Sequence, residues 1–317
     1  MKNNQSITTI YGGIMGTFLK VTQYGKPHKK VADKVSDYFQ KIEHVCSRFL
    51  ENSEISCINR NAGVGPVSVS PLCEEICLEA WKETKFTEGA FNPTIGVLSS
   101  LWNIGQDNAG FPGEEAIKAA TKLVDIEALE IKNHSVFLKK KGMSIDLGGI
   151  AKEFALFQSA CLAEEKYHEG MLIDAGGDIA TVGNKSGSPW CIGIQHPRKR
   201  NTLLATIMLD NWDMIQTSGD YRRFIKHKDT FYSHIFHTVK DEIPLISATL
   251  IFKRNKIIAP FGGAACLASG LNKVKQWLVK VPEIEAVLIT YDGRAFITKG
   301  VQNYIHFLDD TIELQML

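Results

Sequence analysis

Apolar positions recur every three or four residues between positions 27 and 46. Val31, Val35, Phe39, Ile42 and Cys46 fall on one face, the spacing of an amphipathic helix. Ser70-Pro71 opens a second helix, with Ser70 as cap and Pro71 in the first turn, running to about Thr87. Pro112-Gly-Glu-Glu opens a third, through about Leu123; Lys152–Glu165 and Gly270–Val281 read as two more. Short apolar or alternating runs predict strands at 16–22, 136–139, 143–147, 170–174, 190–194, 202–209, 213–217, 247–252 and 285–290. Helices and strands interleave without long linkers, repeats or low-complexity tracts. The expectation is one α/β (α+β) domain over residues 1–317, with a mixed, largely antiparallel sheet flanked by helices. Runs 202–209 and 213–217, joined through Asp210-Asn211, read as a hairpin, which argues against an all-parallel sheet.

A chain of 317 residues can bury one large core or two modest ones. Its net charge of +1 gives no electrostatic grip on nucleic acid or on an anionic membrane. The longest basic run, Arg198-Lys-Arg200, is a solvated loop on this reading. The apolar run Ile10–Leu19 is interrupted by Gly12, Gly13 and Gly16, so it is not a signal-peptide core, and no stretch approaches a membrane span. Seven cysteines in mostly apolar settings point to buried thiols in a reducing compartment, and with no export signal visible the expectation is a cytoplasmic protein. Cys73 and Cys77 share a helix face but lack a second ligand pair, so they read as packing.

The chemistry concentrates in two segments. Ser144-Ile-Asp-Leu-Gly-Gly-Ile-Ala-Lys152 reads as a buried strand entering a glycine-rich turn that opens a helix. Met171-Leu-Ile-Asp-Ala-Gly-Gly-Asp-Ile179 reads as a strand entering a similar turn. Paired glycines let a backbone approach a ligand closely, and the first amides of a helix attract anions such as phosphate. Asp146 and Lys152 bracket the first turn, which suits a phosphorylated ligand partly bound to metal. Smaller blocks stand around these: Met15-Gly-Thr17, Ser47-Arg-Phe49, Asn52-Ser-Glu-Ile-Ser-Cys-Ile-Asn59, Phe91-Asn-Pro-Thr-Ile-Gly96, Leu101-Trp102, Trp190-Cys-Ile-Gly-Ile194, Thr217-Ser-Gly-Asp-Tyr221 and Ser233-His-Ile235.

In this order and spacing, from about Ile14 to Thr298, the chain resembles the ApbE-type flavin transferases, the FAD:protein FMN transferases, and their T-fold-related architecture. The resemblance implies cleavage of the FAD pyrophosphate with the help of Mg2+. FMN then becomes esterified to a Thr or Ser hydroxyl of an acceptor flavoprotein, with release of AMP. It implies that Met15, Phe49, Ala90, Phe91 and Asn92 touch the flavin or adenine parts of FAD, and that Asp146, Lys152 and Ile235 complete the FAD site. Phe49 stands where the family commonly has Tyr. His234 is the catalytic candidate, either as base for the attacking hydroxyl or as a group that orients the ligand.

Three departures qualify that picture. The family's metal block Ala-Asp-Ala-Leu-Ala-Thr-Ala aligns with Ala264-Ala265-Cys266-Leu267-Ala268-Ser269-Gly270, so the metal-binding Asp falls on Ala265. The metal ligands left by the resemblance are the carbonyls of Gly149 and Ala268 and the hydroxyl of Ser269. After His234 the family's Asp-Pro-Arg-Thr-Gly becomes His237-Thr-Val-Lys-Asp241. Glu153 replaces the usual Gly after the lysine and offers a displaced carboxylate. Transfer of FMN is the leading expectation; an FAD pyrophosphatase giving FMN and AMP, and a catalytically weak FAD-binding protein, remain as alternatives.

Overall fold

The computed structural model describes residues 6–167, 170–185, 187–210, 213–220, 224–228, 230–236, 242–254 and 258–317. The chain divides into two compact units: residues 1–41, 152–219 and 239–317 form one, and residues 42–151 and 220–238 the other.

The first unit is built on a nine-stranded sheet whose spatial order follows the chain: Ser6–Ile14, Thr17–Tyr24, Met171–Ala175, Asp178–Val182, Met214–Gly219, Leu245–Phe252, Ile284–Thr290, Ala295–Ile297 and Leu314–Met316. Neighbours run antiparallel except the last pair. A second sheet, ordered Ile305–Phe307, Leu203–Leu209, Trp190–Gln195, packs through Ile192, Ile194, Leu204 and Ile207 onto Ile215, Ile251, Val287 and Ile289. Side chains alternate along a strand, so Ser218 points away from that layer. There it meets the helix Gly263–Ser269: a Cβ on Gly263 would lie 2.7 Å from Ser218 Oγ. The strand Leu245–Phe252 is buried at every position, which explains why it reads as an unbroken run rather than an alternating one.

In the second unit the helix Pro71–Phe86 starts as its sequence dictates. Ser70 Oγ accepts from Cys73 N at 3.2 Å, and Ser70 itself donates to the Glu54 carboxylate through N and Oγ at 2.6 and 2.7 Å. A small sheet orders Val67–Ser68, Ser135–Leu138 and Leu129–Lys132, and a separate hairpin pairs Phe224–His227 with Thr230–Ser233.

The expected helices stand at Lys29–Cys46, Pro71–Phe86, Glu114–Thr121, Ala151–Lys166 and Leu271–Lys280. Two expectations need correction. The runs 202–209 and 213–217 do not pair: Leu203–Leu209 lies between Trp190–Gln195 and Ile305–Phe307, whereas Met214–Gly219 lies between Asp178–Val182 and Leu245–Phe252. Both runs are apolar enough to be buried, and they meet face to face from two layers of one core instead of pairing edge to edge. Asn211, in the expected turn, lies outside the described residues. Residues 143–147 alternate in burial as a strand does but join no ladder beyond a single bridge of Ser144 to Ile95. The polar backbone groups of Ile145 are taken by the Asn59 side chain, at 2.7 and 3.0 Å, and Asp146 N donates to Pro93 O at 2.8 Å. Three helices of seven residues, Glu54–Arg60, Gly96–Trp102 and Gly263–Ser269, were too short to show a period.

Candidate functional site

In the second unit the turn after Ile145 is held from within and from outside. Asp146 Oδ1 accepts from Gly148 N at 2.8 Å, and Asp146 Oδ2 pairs with Arg48 Nε at 3.1 Å. The Arg48 guanidinium also lies 4.2 Å from the centre of the Phe49 ring, which is 62% exposed, so one cation fixes a carboxylate and backs an open aromatic face. Gly149 sits against Phe91: a Cβ there would lie 2.8 Å from Phe91 Cε2. Phe91 is buried, and its N–H donates to Thr87 Oγ1 at 3.1 Å. Asn92 Oδ1 accepts from Thr94 N and Thr94 Oγ1 at 3.0 and 2.7 Å, closing the turn that leads into the helix Gly96–Trp102. Ala90 is half-buried beside them in sequence.

The same unit carries the chain that follows its hairpin. Tyr232 packs on Trp102 and Phe111 with ring centres 4.8 and 5.7 Å apart, Phe236 lies 6.2 Å from Trp102, and His227 stacks on Phe111 at 4.2 Å. His234 and Ile235, both half-buried, lie between these aromatic anchors, with Ile235 N donating to Ser233 Oγ at 3.2 Å. Residues 237–241, where the expected loop departs from the family, and Tyr221 lie outside the described residues.

In the first unit, Met15 and Gly16 form a two-residue turn between Ile14 and Thr17, with φ of 51° and 70°. Positive φ at both central positions is the hairpin geometry that matches strand twist, and a methionine there is unusual. Beside it lies the second glycine turn. Gly176 faces Thr17 so closely that a Cβ would be 2.3 Å from Thr17 Oγ1, and Asp174 Oδ1 accepts from Gly177 N at 2.8 Å. Asp178 closes that turn and reaches two ways: Lys152 Nζ donates to its Oδ2 at 2.7 Å and Thr217 N to its Oδ1 at 3.1 Å. Lys152 stands in the first turn of its helix, next to Glu153, which is buried.

The helix Gly263–Ser269 holds the aligned metal positions. Ala265, Ala268 and Ser269 are all buried, and Ser269 Oγ has no hydrogen-bond partner among the described residues. A buried orphan hydroxyl fits one oxygen of a ligand set. Ala265 supplies none, and no cluster of three or more His, Cys, Asp or Glu suited to a metal occurs among the described residues. At the aligned positions the oxygen donors are thus a buried hydroxyl and main-chain carbonyls, without a carboxylate.

Asp146 and Lys152, read from sequence as bracketing one turn, each have a partner in their own unit: Arg48 for the first, Asp178 for the second. Sequence reasoning passed over Arg48 and gave Asp178 no role beside Lys152. The available signal was adjacency: Arg48 precedes Phe49, and Asp178 ends the second turn.

The ApbE family profile matches residues 15–288. An FAD:protein FMN transferase of Treponema pallidum is 28% identical over 95% of this chain and 90% of its own length. The Escherichia coli K12 protein of the same name is 25% identical over 95% of this chain and 89% of its own. Among solved structures, the ApbE protein of Thermotoga maritima superposes with a TM-score of 0.83 at 25% identity, covering 95% of this chain and 99% of that one. The flavin transferase ApbE of Vibrio cholerae superposes at 0.79 and 22% identity, over 95% of this chain and 100% of its own, a likeness of fold.

Proposed function

The chain belongs to the ApbE family, and on that premise we propose that residues 1–317 act as one FAD:protein FMN transferase domain. The hydroxyl oxygen of an acceptor Thr or Ser attacks the FMN-side phosphorus of FAD. The bond from that phosphorus to the bridging oxygen breaks, AMP leaves with the electron pair, and the hydroxyl proton passes to a base. The observation that carries this reading is the cation at a helix start beside a glycine turn, Lys152 fixed by Asp178, within a chain that matches the family along most of its length.

The roles follow the resemblance. Met15, Phe49, Ala90, Phe91 and Asn92 contact the flavin or adenine groups, and Asp146, Lys152 and Ile235 complete FAD binding. His234 takes the hydroxyl proton or orients the phosphate; a loose phosphoryl transfer asks little of a base, so both roles stand. Mg2+, when bound, would supply charge neutralisation to the phosphates. The carbonyls of Gly149 and Ala268 and the Ser269 hydroxyl would hold it, a set without a carboxylate, so a weak metal requirement is expected. All seven cysteines are free thiols, which supports a cytoplasmic setting for the enzyme and its acceptor flavoprotein. No helix among the described residues is long and apolar enough to cross a membrane.

The experiment is calorimetry with FAD, FMN and riboflavin, followed by incubation with FAD, Mg2+ and candidate acceptors. FAD should bind best, with AMP release and an FMN mass gain on a Thr or Ser of the acceptor. Equal affinity for FAD and FMN would remove recognition of the adenylate half. Ala265 favours a second reading, a catalytically weak FAD-binding protein, for which FAD binds and no AMP appears.

A further inference from the structure

We propose that Asp178 is the positioning residue of the anion site, so that the hold of Lys152 on the FAD pyrophosphate depends on the Asp178 carboxylate. The inference rests on the flavin transferase reading and deepens it. Lys152 has a long, freely rotating stem, and its side chain is 35% exposed, so left alone it would sample many positions. Asp178 removes that freedom. Its side chain, 13% exposed, accepts a hydrogen bond from one ammonium N–H at 2.7 Å, which leaves two N–H donors of the three for phosphate oxygens.

The carboxylate is itself held on both sides. Asp178 is the first residue of the strand Asp178–Val182 and lies opposite Ala175 in the hairpin, behind a turn that Asp174 ties through Gly177 N. Its second oxygen accepts from Thr217 N at 3.1 Å, and Thr217 Oγ1 lies 2.9 Å from the hydroxyl of Thr249, which is fully buried. One side chain thus joins the helix start, the glycine turn and the end of the strand Met214–Gly219. A carboxylate in a site for an anion opposes that anion by charge alone. Its placement makes sense as geometry: both oxygens are occupied by donors, and the ammonium is turned to a fixed direction.

The test is a double-mutant cycle on FAD affinity, read by calorimetry, with thermal melting to follow the fold. Lys152→Ala in the wild-type background should weaken FAD binding about 10- to 50-fold, the scale of one charge-assisted contact. Asp178→Ala alone should cost about 5- to 20-fold, and in that background Lys152→Ala should cost less than about 3-fold, because the cation is no longer aimed. A purely structural Asp178 would lower the melting point and leave the cost of Lys152→Ala unchanged; that equality overturns the proposal. If Asp178→Ala fails to fold, Asp178→Asn carries the cycle. It keeps one acceptor oxygen and the side-chain size, and is expected to show an intermediate coupling. Wild type that binds FAD while Lys152→Ala binds it equally well also overturns the proposal and leaves the flavin reading intact. Wild type that binds no FAD overturns the flavin reading itself.

Discussion

The two Asp-x-Gly-Gly turns look interchangeable in sequence, yet glycine is required in them for different reasons. In Asp174-Ala-Gly-Gly-Asp178 the backbone itself demands it: Gly176 and Gly177 have φ of 70° and 105°, and the turn reverses the chain between two paired strands. In Asp146-Leu-Gly-Gly-Ile150 neither glycine has a positive φ. There the turn feeds a helix, and glycine is needed for what lies next to it: Phe91 against Gly149, and Asp146 Oδ1 3.0 Å from where a Cβ of Gly148 would stand. The same Asp-x-Gly-Gly pattern encodes a backbone constraint, with a close contact added, in one unit and a packing constraint alone in the other. Nothing in composition or spacing distinguishes them, because the difference is set by which side chain from a distant segment arrives.

Alanine separates the two cases. Gly176→Ala carries both penalties, a left-handed φ and a Cβ 2.3 Å from Thr17 Oγ1. The expected loss is about 2–4 kcal/mol, read by urea unfolding. Thr17→Ala added to it should recover only the steric part; full recovery would show that φ costs nothing there, and the contrast between the turns would fail.

Gly149→Ala is expected to cost less, about 1–2 kcal/mol, since the obstruction is a ring edge and the backbone can stay as it is. Phe91→Leu should relieve it, so that the pair of substitutions costs less than the sum of the two alone. If Phe91 contacts FAD as proposed, Gly149→Ala should also lower FAD affinity by displacing the ring. An additive double mutant would show that Phe91 does not set the need for glycine.

Five strands of the large sheet were legible as apolar runs, whereas Ser6–Ile14, largely exposed, Asp178–Val182, and the three-residue Ala295–Ile297 and Leu314–Met316 were not expected. Seven of its nine strands pair with a strand next to them in sequence, but Met214–Gly219 and Leu314–Met316 do not and so defeat a hairpin-by-hairpin reading. Excursions such as 183–213 leave the sheet, build the second layer and return, so that neighbours in sequence, Leu203–Leu209 and Met214–Gly219, are in different sheets. The segment 143–147 showed the alternation of a strand but finds its partners in Asn59 and Pro93. Side-chain pairing with backbone leaves no periodic trace. The candidate site divides in the same way. Its motif residues were visible, while the partners that fix them, Arg48 for Asp146 and Asp178 for Lys152, are matters of three-dimensional arrangement.

The smallest effect concerns the acids that open the two turns. Each caps its turn through one oxygen, Asp146 to Gly148 N and Asp174 to Gly177 N, both at 2.8 Å. Asparagine keeps that acceptor and removes the charge, so it isolates whatever the charge contributes. For Asp146 the charge faces Arg48 at 3.1 Å with both side chains largely covered, at 15% and 21% exposed. For Asp174 the cation is Lys20, 4.0 Å away and 40% exposed. Asp146→Asn should therefore cost about 1 kcal/mol, and Asp174→Asn less than about 0.5 kcal/mol. Raising the salt concentration should shrink the first difference only in part, because a partly buried pair is screened less than an exposed one. Arg48→Ala, which removes the cation, should abolish the cost of Asp146→Asn. If Asp146→Asn costs the same with and without Arg48, the charge acts on the turn itself, and the two turns differ only in their glycines.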